Sequence, residues 1–231
     1  MTPLILHIDT ATQVCSVALS RGAENIAYRE SREKNAHSKN VTLFVEEVIS
    51  ESGLAKDELD AISVSMGPGS YTGLRIGVST AKGLCYALEK PLIAISTLQA
   101  MAYGLAEERK EKVLYCPMID ARRMEVYTAL FDENNRQLRE IRAEIIDENS
   151  FSEFLNNQKI YFFGDGAPKC KEVLGDQPNA VFIDDFFPSA KFMSGIALDK
   201  FQNNDFVDVA YFEPFYLKDF IAGKPKVKGL D

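Results

Sequence analysis

The segment GPGSYTGLRIG, Gly67 to Gly77, holds residues suited to chemistry by the backbone itself. Glycines let backbone amides approach another group closely, and a helix starting at such a turn offers unpaired N–H groups to an anion. Gly67, Gly69 and Ser70 could therefore cradle a phosphate. The segment has no lysine of the GxxxxGK[ST] kind and is not a GxGxxG with a following acidic ribose contact, so a tight structural turn is the competing reading. Asp9 and Thr10 close the first apolar run, where the carboxylate could hold a metal-bound water or a phosphate, or simply cap its own turn. Gly73, Gly77 and Ala81 repeat at four-residue spacing and form a ridge without bulk. Glycine inside a helix costs roughly 0.5 to 1 kcal/mol relative to alanine, so the ridge implies close packing, against the chain's own sheet or against another subunit.

Other chemistry is sparse. The two histidines, His7 and His37, have no acid or cysteine at ligand spacing, so neither a metal site nor a catalytic triad assembles around them. Glu46-Glu47 and Asp184-Asp185 read as a solvated helix face and a loop. The four cysteines, Cys15, Cys85, Cys116 and Cys170, lie far apart and read as buried free thiols of a reducing compartment. A formal net charge of −8 argues against a solitary nucleic-acid binder, which needs clustered Lys and Arg. The basic cluster Lys224 to Lys228 reads as a solubilising end. Apolar runs far short of a bilayer span, and a start that enters a strand directly, predict a cytoplasmic protein with no membrane contact.

These residues need elements to position them. Leu4 to Asp9, Val14 to Leu19 and Asn25 to Glu30 read as consecutive strands. After Ser38, apolar residues at Val41, Phe44, Val45, Val48 and Ile49 mark an amphipathic helix that Gly53 stops. The strand Ala61 to Met66 feeds the glycine segment, and Thr72 to Leu88 is helical. Strand Pro91 to Ile95 leads to a helix that Ser96 and Gln99 cap. The polar stretch Glu107 to Lys112 divides the chain into lobes 1–108 and 109–231. A second series follows: strands Val113 to Ile119, Met124 to Phe131 and Gln137 to Ile146, helix Ser150 to Asn157, strand Lys159 to Phe163, helix Pro168 to Leu174, strand Ala180 to Ile183, and a helix from Pro188 to about Phe201. The recurrence predicts an α/β chain of two similar lobes.

The opening ILHIDTATQVCSVAL, the segments AHSKN, GPGSYTGLRIGVSTAKGL and IDARRMEVY, and Pro214 to Leu217 near the end together resemble the TsaB family, also called YeaZ. The likeness covers nearly the whole chain, and GPGSYTGLRIG with IDARRMEVY is highly specific. Lys218 stands where the family commonly has arginine, and Arg123 is a variable position.

The resemblance implies a two-lobed actin-like ATPase fold related to ribonuclease H, with duplicated βββαβα lobes. It implies a role in forming N6-threonylcarbamoyladenosine beside the anticodon of tRNAs that read ANN codons. The partners implied are the catalytic paralogue TsaD and the ATPase TsaE, with tRNA reached only through the complex and a homodimer when the chain is alone. ATP and a metal ion are expected in those partners, and no cofactor in this chain. TsaD carries two metal-binding histidines on the helix after the glycine helix, and alignment places Thr97 and Met101 there. Neither replaces imidazole at a hard catalytic metal. The expectation is a catalytically silent subunit whose interface lies on the first-lobe helices, with Thr42, Val45, Glu46, Ile49, Leu74, Arg75, Gly77, Val78, Ala81, Lys82 and Cys85 as candidates. Asp9, Thr10, Gly67, Gly69 and Ser70 are the candidate nucleotide crevice. A stand-alone actin-like ATPase or an M22-type metallopeptidase is the alternative.

Overall fold

The computed structural model describes residues 2–33 and 36–217; Lys218 and the Lys224 to Lys228 cluster lie outside them. The first lobe opens with three antiparallel strands, β1 (Leu4–Asp9), β2 (Cys15–Arg21) and β3 (Glu24–Ser31). Helix α1 (His37–Ser52), β4 (Ala61–Gly67), α2 (Tyr71–Leu88), β5 (Leu92–Ser96) and α3 (Thr97–Arg109) follow. The second lobe repeats the plan with β6 (Leu114–Asp120), β7 (Glu125–Phe131), β8 (Gln137–Ile145), a short α4 (Ser152–Leu155), β9 (Ile160–Phe163), α5 (Ala167–Leu174) and β10 (Ala180–Ile183). A last helix, α6 (Ser194–Gln202), comes after a 3-10 turn at Ala190–Met193.

The two sheets have the same topology. The first runs β3-β2-β1-β4-β5 and the second β8-β7-β6-β9-β10, with β1, β4 and β5 parallel in one and β6, β9 and β10 parallel in the other. This is the duplicated, two-lobed actin-like arrangement related to ribonuclease H. Strand β1 is buried along its whole length, as its unbroken LILHI run requires of a central strand covered on both faces. One face of the first sheet packs α1 and α2 through Leu6, Ile8, Val45, Val48, Val78 and Cys85. Its other face meets Ala190, Met193, Ile196 and Ala197 of the 3-10 turn and α6.

That last contact cuts across the expected lobe division. The C-terminal segment returns to the first lobe: Val207 N donates to Leu92 O at 2.9 Å, and Phe215 N to Met66 O at 2.7 Å. Helix α3 is the seam. Ala100 faces the first-lobe cluster, whereas Leu98, Met101, Ala102 and Leu105 pack with Tyr115, Phe131 and Phe163 of the second.

Two helices differ from the sequence reading. The helix expected over Ser150 to Asn157 shrinks to four residues because buried Phe151 adopts a left-handed φ of 62°, which the first turn of a helix cannot use. The helix expected from Pro188 begins as the 3-10 turn and becomes α-helical only at Ser194. All four cysteines are free and buried, and burial pushes the Cys15, Cys85 and Cys116 thiols up to about 12. Among the described residues no helix is long and apolar enough to cross a membrane.

Candidate functional site

The glycine segment does hold a turn, but the group seated on it is the chain's own β1–β2 connection. A Cβ added at Gly69 would lie 2.2 Å from Ala11 O, at Gly73 2.1 Å from Thr10 O, and at Gly77 2.3 Å from Thr10 Oγ1. Ser70 N donates to Ala11 O at 2.6 Å, and Thr10 Oγ1 to Gly73 O at 2.7 Å. Ser70 Oγ caps α2 by accepting from Gly73 N. Gly67 has φ 113°, and a side chain there would strike Phe215 O at 2.7 Å. The structure thus brings Asp9, Thr10, Gly67, Gly69 and Ser70 together, and the Ser70 amide serves the fold.

Asp9 is the polar centre of this turn. Its Oδ1 accepts from Ala11 N at 2.9 Å and from Ser65 Oγ at 2.8 Å, while Oδ2 is buried with no hydrogen-bond partner among the described residues. Burial raises the carboxyl above the usual carboxylate range, against the opposing pull of Ala11 N, Ser65 and His37. Thr97 and Met101 are both fully buried. Met101 fills the seam between lobes, with its Cε near Gly164, and Thr97 Oγ1 has no partner among the described residues. No group of three or more His, Cys, Asp or Glu among the described residues is placed to hold a metal ion.

The candidate interface divides into two sets. Val45, Ile49, Leu74, Gly77, Val78, Ala81 and Cys85 are buried inside the first lobe and offer no surface to a partner. The physical reason is the helical stripe itself: the apolar and small positions of α1 and α2 are those that face the sheet, so the Gly73–Gly77–Ala81 ridge serves internal packing. Thr42, Glu46 and Arg75 are exposed. Glu46 pairs with Lys56, and Arg75 lies over the Tyr71 ring at 5.5 Å. Lys82 is half-buried, its Nζ donating to Ala210 O at 3.0 Å and Phe212 O at 3.1 Å, where it ties the C-terminal segment to α2.

The outward faces hold residues that the sequence reading missed. Leu43 is 47% exposed on α1, and Tyr86 is 85% exposed on α2. Thr72, Arg75, Ser79, Gly83 and Tyr86 form one outward stripe of α2, and a Cβ at Gly83 would meet nothing within 4 Å. The available signal was the stripe opposite the buried one, which sets Leu43 and Tyr86 among polar and small residues.

The model of the tRNA N6-adenosine threonylcarbamoyltransferase family, TsaD, matches residues 31–219. The tRNA threonylcarbamoyladenosine biosynthesis protein TsaB of Escherichia coli is 34% identical over 95% of this chain and 96% of its own length. The chain belongs to the TsaB family. The TsaB protein of Haemophilus influenzae is 31% identical over 95% of both chains. The fold agrees as well. YeaZ from Pseudomonas aeruginosa superposes with a TM-score of 0.83 over 93% of this chain and all of that one, at 24% identity. A second Pseudomonas aeruginosa structure, described as similar to peptidase YeaZ, gives 0.84 over 94% of this chain. The TsaB relatives align along both lobes.

Proposed function

We propose that this chain acts in the biosynthesis of N6-threonylcarbamoyladenosine in tRNA as a non-catalytic dimerisation and activating subunit. Its partner is the catalytic paralogue TsaD, with TsaE joining the assembly and tRNA engaged through the complex. The observation that carries the reading is the near-full-length similarity to TsaB relatives. Burial of Thr97 and Met101, where the paralogue bears imidazoles, supports it. Support for binding as the mode of action comes from the outward faces of α1 and α2, which display Leu43 on one and Tyr86 beside Gly83 on the other. In this reading the same faces pair two copies when the partner is absent.

Mixing the purified chain with TsaD and measuring mass by light scattering tests the proposal. A mixed species at the summed mass supports it. Two separate species at micromolar concentrations would sink it.

A further inference from the structure

We propose that the β6–β7 turn, carrying Arg122 and Arg123, docks the phosphodiester backbone of an RNA; this rests on the reading above, in which tRNA is the substrate of the assembly. Both arginines are exposed and adjacent, and both hold positive φ, 71° and 51°. Side chains avoid that region at about 1 kcal/mol or more per residue, and such strain persists only where the surroundings impose it.

Lys169, at the start of α5, imposes it here. Its Nζ donates to Arg123 O at 2.8 Å and Glu125 O at 2.7 Å, and it forms an ion pair with the Asp120 carboxylate. Asp120 Oδ1 in turn accepts from Arg122 N at 3.0 Å, and Asp120 N donates to Asp165 Oδ1 at 3.0 Å. The turn is therefore tied at both ends.

The guanidiniums themselves are left over. Among the described residues neither Arg122 nor Arg123 has an acidic or aromatic partner, whereas Arg29, Arg139 and Arg142 are ion-paired and Arg32 lies over the Phe187 ring. In a chain of net charge −8, with 34 acids to 26 basic residues, this turn sets two positive charges side by side. The duplicated topology sharpens the contrast. In the first lobe the turn after β1 is seated on Gly69, Gly73 and Gly77. In the second, the corresponding turn after β6 is exposed, at the carboxyl ends of parallel β6 and β9, the rim where α/β sheets place ligands. Arginine's planar fork suits phosphate oxygens.

The test uses the complex of this chain with TsaD and fluorescently labelled tRNA, titrated by anisotropy across a range of salt concentrations. Arg122→Asn with Arg123→Gly removes both charges while installing residues that accept positive φ, so the turn keeps its shape. Each lost phosphate contact lowers the slope of log affinity against log salt by about 0.7 to 0.9, so the pair is expected to lower it by about 1.5 and weaken binding roughly tenfold at low salt. Arg122→Lys with Arg123→Lys should retain most of the slope. An unchanged slope in a complex that still forms overturns the inference. So does loss of the complex itself in the Asn-Gly variant, since the turn would then be a protein contact. If the unaltered chain forms no complex, the earlier reading fails first and this one falls with it.

Discussion

His7 shows how a single side chain can fix a fold's response to pH. It is fully buried on β1, with Nε2 2.8 Å from Ser20 Oγ and Nδ1 2.6 Å from Ser63 Oγ. Ser20 Oγ donates to Gly22 O, so it accepts from Nε2–H, and the Ser63 hydroxyl donates to Nδ1. The ring is neutral in one tautomer, and burial lowers its pKa to about 3 from 6.5. A depressed folded value means that its contribution is complete above pH 6.5 and lost as pH falls toward 3. Urea unfolding should therefore show stability dropping as the pH falls from 6 to 4, with this group contributing to the slope. His7→Gln should cost about 1 to 3 kcal/mol at pH 7 and flatten the acid slope. Asp9 has the opposite sign. Its raised value contributes stability below pH 3.8 that is lost as pH rises through the folded value, so Asp9→Asn should raise the neutral-pH urea midpoint.

At the scale of elements, α1 and α2 each have an inward and an outward stripe, and substitutions should separate them cleanly. Gly77→Leu forces a side chain onto Thr10 Oγ1, so thermal unfolding should report a loss of about 1 to 3 kcal/mol or more. Leu43→Ala and Tyr86→Ala should leave thermal stability within about 0.5 kcal/mol. Each should nevertheless weaken partner association about tenfold or more by light scattering, as aromatic and aliphatic anchors do. An unchanged association constant for both would remove these faces from the interface. The strand and helix order was legible because unbroken apolar runs and 3.6-residue stripes are local signals. Which stripe faces the sheet was legible too, since it is the apolar one, yet the interface candidates were drawn mostly from it. What occupies the glycine ridge was not legible. Thr10 and Ala11 lie some sixty residues earlier in the chain, and no local pattern announces that contact. The left-handed caps at Glu89 and Lys110 likewise lack the glycine that usually marks a helix end.

At the scale of the molecule, two like sheets share α3 as a seam, and the chain crosses between them twice. The first lobe needs the segment after Ser189 to cover Ile5, Ala18, Ile93 and Ile95. The second lobe's core, from Leu114 to Phe182, is continuous in sequence. A chain ending at Ser189 should therefore lose amide-exchange protection in β1, β2 and β5 while β6, β7 and β9 stay protected. Equal loss in both sheets would show the lobes to be one cooperative unit. The same return of the chain sets an order of events on the ribosome. Domains commonly fold in the order in which they emerge. Here the first lobe emerges earliest and is completed last, because Ala190 to Ala197 follow every strand of both sheets. A nascent first lobe therefore displays an apolar sheet face throughout synthesis of the second, and that interval is when the growing chain most needs shielding from its neighbours.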